Sequence, residues 1–206
     1  LEKNPDNIEL HLIMGGLYLS IHENKKAIAE HKRVLALDPK NLMAHLYLAI
    51  AYAEEKRFDK SEETFKKMLK IDPENIMGIY YYGKVLLKMD RLQDAEKMFK
   101  KAISLNPYFE MALFDLTALY EKQEKLDKSV EVYRNYLELN PARINLRLKI
   151  GELLIKGKKY EEAEKEFQEF LKVDPDERNV RIALGILYFD MNRLDSAVAE
   201  FSRVLQ

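Results

Sequence analysis

Four histidines, His11, His22, His31 and His45, lie between residues 11 and 45, and a histidine cluster is the first chemistry this chain suggests. A metal site would need three or four donors converging, each ring oriented by a second hydrogen bond. His11 and His45 are 34 residues apart, which suits two equivalent packing slots better than one coordination sphere. The chain has no cysteine, so it offers no thiolate zinc site, disulfide or cysteine nucleophile, a lack that fits reducing and oxidising compartments alike. Carboxylates recur beside lysines at helical spacing, as in Glu62 with Lys66 and Glu63 with Lys67, the pattern of solvated ion pairs rather than of a general acid and base. The glycines sit at helix-packing positions, and no phosphate-cradling loop or nucleophile elbow is present. No catalytic residue, metal or cofactor is therefore expected. The remaining chemistry is recognition, with Lys84, Lys88, Lys122 and Lys156 able to orient an acidic group. Thirty-four Lys plus Arg against 35 Asp plus Glu exclude the uniformly basic surface that non-specific nucleic-acid or anionic-membrane binding requires. The longest charge-free stretches, Leu10 to Ile21 and Leu42 to Ala53, are well short of the roughly 20 residues that span a bilayer, so no membrane insertion is expected.

The elements that position these residues are legible from proline. Pro5, Pro39, Pro73, Pro107, Pro141 and Pro175 are each separated by 34 residues, which is an internal repeat. Proline lacks a backbone donor and clashes with the preceding turn, so each one ends a helix. Asp38, Asp72, Asn106, Asn140 and Asp174 precede five of them, and Asn7, Asn41 and Asn75 follow the first three by two residues, supplying turn and N-cap chemistry. Counting Ile8 as position 1 gives repeats 8–41, 42–75, 76–109, 110–143 and 144–177, with a partial repeat 178–206. Position 8 holds Gly15, Ala49, Gly83, Thr117, Gly151 and Gly185; position 20 holds Ala27, Ser61, Ala95, Ser129, Ala163 and Ala197. Two small columns let the paired helices of each unit approach closely. Large apolar residues at positions 7 and 28 form the expected core, from Met14 and Leu35 to Leu184 and Leu205.

Leu184-Gly185, Tyr188, Ala197 and Phe201, like Tyr82-Gly83, Ala95, Phe99 and Pro107, sit at the offsets of the tetratricopeptide repeat, and the whole chain resembles that family. The resemblance implies an all-α fold, a right-handed α-solenoid of helix-turn-helix units in one array over 1–206. The usual aromatic at position 4 is replaced by His11, His45, Ile79, Leu113, Arg147 and Arg181, and position 24 of the first unit is His31. Leu1 to Pro5 aligns with Leu35 to Pro39, so residues 1–7 are expected to end a preceding repeat, and the chain to be a fragment of a longer repeat protein.

Each unit reads as helix A, positions 1 to 13, and helix B, positions 18 to 30. The A segments carry 15 charges in 78 residues and the B segments 32 in 77, so A is expected to be the inner layer and B an amphipathic outer one. By resemblance, ligands bind the concave A face through positions 2, 5, 9, 12 and 13. Position 2 holds Met43, Met77 and Met111, and position 5 holds Leu46, Tyr80 and Phe114. Ile50 and Lys84 stand at position 9, Tyr47 and Tyr81 at position 6, and Lys88 at position 13. Adaptable methionine on an exposed apolar strip suits a protein or peptide partner. Arg143, Arg147, Arg178 and Arg181, near helix N-termini where the dipole disfavours cations, are either solvated or face an acidic partner.

The expected function is a non-catalytic protein-interaction scaffold that holds a peptide or helical segment mainly by apolar contacts in the N-terminal repeats. The alternatives are self-association through uncapped ends, or the recognition arm of a larger enzyme or secretion complex. Chaperone-tail capture is disfavoured, because Leu12, Gly16, Leu46, Ile50 and Tyr80 stand where a carboxylate clamp needs Lys, Arg and Asn. The compartment is left open.

Overall fold

The computed structural model describes residues 6–206, and of the expected end of a preceding repeat at residues 1–7 only Asp6 and Asn7 lie within them. Among the described residues are twelve helices and no strand. The chain divides into two compact units, residues 1–112 and 113–206. The first contains α1 (Ile8–Ser20), α2 (Asn24–Leu37), α3 (Leu42–Glu54), α4 (Phe58–Ile71), α5 (Ile76–Lys88) and α6 (Leu92–Leu105). Beyond α7 (Glu110–Lys122), which begins in the first unit, the second contains α8 (Leu126–Leu139), α9 (Leu146–Lys156), α10 (Tyr160–Val173), α11 (Arg178–Asp190) and α12 (Leu194–Leu205).

The corners explain the helix limits. Asn7, Asn41 and Asn75 accept hydrogen bonds from the backbone N–H groups of Leu10, Ala44 and Gly78 at 2.9–3.0 Å, satisfying donors that a helix start leaves open. Asp38 and Asp72 brace the turn before them by accepting from the side-chain amides of Asn41 and Asn75 at 3.1 and 3.0 Å. Arg143 stands where these asparagines recur, and α9 starts late, at Leu146, behind an Asn145 that makes no side-chain cap. The corner within each hairpin follows a different rule. His22, Lys56, Asp90, Glu124, Lys158 and Asn192, again 34 residues apart, adopt positive φ of 56–60°. At each one the next residue's N–H reaches back to a carbonyl five residues earlier, as Glu23 does to Tyr18 and Arg193 to Tyr188, both at 2.8 Å. This is the Schellman closure, made here without glycine, and each of these residues bears the cost of a left-handed backbone.

In the second and third hairpins burial favours helix A, whereas in the first it is reversed, with two residues of α1 buried against five of α2. Eight residues of α3 are buried against four of α4, and seven of α5 against three of α6. The position-8 glycines lie beneath the position-24 ring of the same hairpin: a methyl on Gly83 would meet Phe99 at 2.8 Å, and one on Gly185 would meet Phe201 at 2.6 Å. Phe65, Phe99 and Phe167 have no exposed surface, and burying each contributes about 1.5–3 kcal/mol. The small position-20 residues do a second job where they carry a hydroxyl: Ser61 donates to the Ala49 carbonyl at 2.7 Å.

Successive hairpins are also latched by charge. Tyr82 donates to Glu62 at 2.8 Å and Arg91 donates to the other oxygen at 2.7 Å; in the second unit Tyr188 and Arg193 hold Glu164 at 2.9 and 2.7 Å. Burial, then the hydrogen bond to and charge of Glu62, push the Tyr82 hydroxyl above the usual tyrosine range. Burial also acts to raise the Glu62 carboxyl, but hydrogen bonds from Lys66 and Tyr82 and the charges of Lys66 and Arg91 outweigh it and hold the group below the usual carboxylate range.

Candidate protein-binding face

The methionine column is on the surface. Met43, Met77 and Met111 are 48, 38 and 45% exposed, each at the same register position of its helix, and α3 packs directly on α5. Tyr47, Ile50 and Tyr81 are half-buried around them. Leu46 and Tyr80, expected beside the methionines, are each only 4% exposed. Tyr80 lies edge-on to Tyr81 and Phe109, with ring centroids at 5.1 and 5.2 Å, so it supports the surface from below instead of forming it. The aromatics after Pro107 divide between two places: Phe109 packs on Tyr80, and Tyr108 is 57% exposed. Phe114, three residues after Met111 along α7, is 43% exposed.

The lysines are not bare. Lys84 sits over the Tyr80 ring, 5.6 Å from its centroid, a cation–π geometry. Lys88 pairs with Glu54 at 2.7 Å, joining the ends of α3 and α5. Both partners are about half exposed, so the pair is screened and easily exchanged for another anion.

Two of the arginines that sequence placed near helix starts find their anion inside the chain. Arg147 donates to Glu166 at 2.6 Å and Arg181 to Glu200 at 2.7 Å, each linking position 4 of helix A to position 23 of helix B in the same hairpin. The first hairpin does the same with His11 and Glu30, at 2.5 Å. His11 therefore takes the aromatic slot as a hydrogen-bonded polar residue, 1% exposed. Among the described residues no group of three or more His, Cys, Asp or Glu side chains could hold a metal ion. These ties were overlooked in the sequence; the signal was two columns 19 residues apart that change character together. Glu166 also accepts from Arg134 at 2.9 Å with its side chain 9% exposed, so Glu166→Gln leaves two guanidiniums sharing a neutral amide. The expected cost is about 1–3 kcal/mol, since Arg134 is partly solvated. Urea denaturation measures it, and an unchanged midpoint would mean the tie adds nothing.

The second unit carries an apolar surface that sequence analysis did not single out: Ile182, Ile186 and Phe189 on α11 are 38, 48 and 64% exposed. Their spacing of four and three residues puts them on one helix face. No helix among the described residues is long and apolar enough to cross a membrane.

Tetratricopeptide repeat models match residues 22–78, 122–181 and 158–206, and a second such model matches 80–109. The chain belongs to the tetratricopeptide repeat family. Its repeats are protein-interaction modules in an all-α fold of tandem helix-turn-helix units. Similar solved structures include pilF of Pseudomonas aeruginosa, 21% identical over 94% of this chain and 88% of that one, with a TM-score of 0.64. YrrB, described as a tetratricopeptide repeat protein with an unusual peptide-binding site, is 16% identical over 85% of this chain and 90% of its own, with a TM-score of 0.59. MamA residues 41 to the end from Desulfovibrio magneticus RS-1 is 20% identical over 82% of this chain and 96% of that one, with a TM-score of 0.60. At these identities the likeness shows the fold alone. No curated protein sequence matches this chain.

Proposed function

We propose that residues 1–206 act as one array of the six repeat units, a non-catalytic scaffold that binds a protein or peptide segment through the A helices of the first unit. The observation that carries this reading is the exposure of Met43, Met77 and Met111 at one register position on successive A helices. Tyr47, Ile50 and Tyr81 flank them, and Leu46 and Tyr80 form the supporting layer. A thioether column tolerates irregular apolar partners because each side chain can adjust its three torsions. Lys84 and Lys88 orient an acidic group of the same partner, Lys88 by releasing Glu54.

Met43→Asp with Met77→Asp changes only exposed positions, so helicity and melting are expected to hold while affinity for a captured partner segment falls at least about a hundredfold. Calorimetric titration against the segment reads this, and undiminished affinity removes the methionine column from the site. Tyr80 is unsuitable for such a test, because a charge there would enter the core. A second reading, self-association, is favoured by Leu10, Ile13, Leu17 and Ile21, exposed by 41–63% along one side of α1. Sedimentation separates the two: a concentration-dependent mass that survives the double variant but is lost in Ile13→Asp with Leu17→Asp belongs to α1.

A further inference from the structure

The position-4 to position-23 ties define what is missing at one place. In three hairpins the helix-A group meets a carboxylate from helix B: His11 with Glu30, Arg147 with Glu166 and Arg181 with Glu200. The three glutamates are 7–8% exposed. In the second hairpin, position 4 is His45 and position 23 is Thr64, 7% exposed like the glutamates, with its hydroxyl spent on the Lys60 carbonyl at 2.7 Å. His45 is 7% exposed; its Nε2 lies 3.0 Å from the Pro39 carbonyl and so carries the proton, while Nδ1 is buried without a partner. Nδ1 is the nitrogen with which His11 meets Glu30.

His45 lines a cleft of about 320 Å³ between α2 and α4, floored by Leu35, Leu48 and Tyr52. Its rim carries Lys32, Lys60 and Lys67 against one anion, Glu63, which pairs with Lys67 at 2.7 Å. The equivalent groove of the second unit, between α8 and α10, is lined by Arg134 and Arg147 at the positions of Lys32 and His45. There the Glu166 carboxylate bridges the two cations. The first groove keeps the basic positions and lacks the bridging acid.

We propose that the cleft between α2 and α4 takes a carboxylate from outside the chain, an acidic side chain of a bound peptide, in the place that Glu30, Glu166 and Glu200 fill in their own hairpins. The carboxyl group shares one proton with Nδ1 of His45, whose Nε2–H stays on the Pro39 carbonyl, and is flanked by Lys32. The apolar floor accepts the methylene stem of the acidic residue. This site uses His45, Leu48 and Tyr52 of α3, whereas the methionine face uses Met43 and Ile50, so the two stand or fall separately.

The probe is end-capped triglutamate, followed through the His45 ring resonances by NMR. Triglutamate is expected to shift them saturably and triglutamine to leave them in place. Thr64→Glu supplies the carboxylate internally, so it is expected to abolish triglutamate binding and raise the melting temperature. Lys32→Gln, at an exposed residue that does not bear on folding, is expected to weaken binding about tenfold and keeps the test open if Thr64→Glu fails to fold. A His45 ring unmoved by triglutamate, or full affinity in Lys32→Gln or in folded Thr64→Glu, overturns the proposal. Inorganic phosphate binding more tightly than triglutamate also overturns it, since the site would then select tetrahedral anions.

Discussion

Phe167→Ala is expected to cost the second unit about 3–5 kcal/mol. The ring has no exposed surface and lies against the α-carbon of Gly151, so truncation opens a cavity between α9 and α10 at the point of closest approach. The converse change is informative too. A methyl group on Gly151 overlaps the Phe167 ring, and a fully buried ring has nowhere to turn, so Gly151→Ala is expected to cost about 1–3 kcal/mol through overpacking. The two changes share one volume, and their effects should not add: Gly151→Ala in a Phe167→Leu background is expected to cost less than in the wild type. Gly16→Ala is the control, because nothing lies within 4 Å of a methyl there, and it should stabilise α1 by about 0.5–1 kcal/mol through helix propensity. Urea denaturation with hydrogen exchange on the two units reads these variants together with the Phe167→Leu background, and a neutral Gly151→Ala would show that glycine is not required under the ring.

The repeat register made the helix starts legible, because proline and asparagine act locally and at fixed spacing. The same register hid other features behind apparently ordinary residues. Lys56, Asp90 and Glu124 adopt left-handed backbone at the hairpin corner, where sequence reasoning looks for glycine. Composition could place Met43 and Leu46 on the same helix but could not separate them, since a rotation of about 60° around the helix axis decides between 48 and 4% exposure. Charge was the least legible property. Arg147 and Arg181 look misplaced beside a helix start until Glu166 and Glu200, 19 residues on, are brought opposite by the hairpin. Nearest-neighbour rules on a single helix do not reach that far, whereas comparing one repeat with the next does. The same comparison marks Thr64 as the place where a basic position-4 residue lacks its acid, and His31 as the place where an imidazole stands for a Phe or Tyr ring.

His31 should make the first hairpin the acid-labile part of the array. It occupies the slot held by Phe65, Phe99, Phe167 and Phe201 elsewhere, is fully buried, stacks on Tyr47 of α3 at 5.5 Å, and leaves both ring nitrogens without partners. Burial pushes its pKa down from 6.5 to about 4, and the Glu30 carboxylate opposes that only in part. Tyr47 is a titratable side chain stacked on it, and Glu30 is itself bonded to His11 of α1. Between pH 6.5 and about 4 the unfolded chain binds a proton that the folded hairpin excludes, so the His31 contribution is complete above 6.5 and is lost as pH falls toward 4. The loss over that window is about 3 kcal/mol. His31→Phe restores the aromatic column and removes the titrating group, so its stability should change less between pH 7 and 4.5 than that of the wild type. Carboxylates elsewhere titrate equally in both proteins and cancel in the difference. Hydrogen exchange should place the acid-induced opening in α1 and α2, ahead of α5 and α6. Equal pH slopes for the two proteins, or opening spread evenly over the helices, would mean that the buried imidazole is accommodated without penalty.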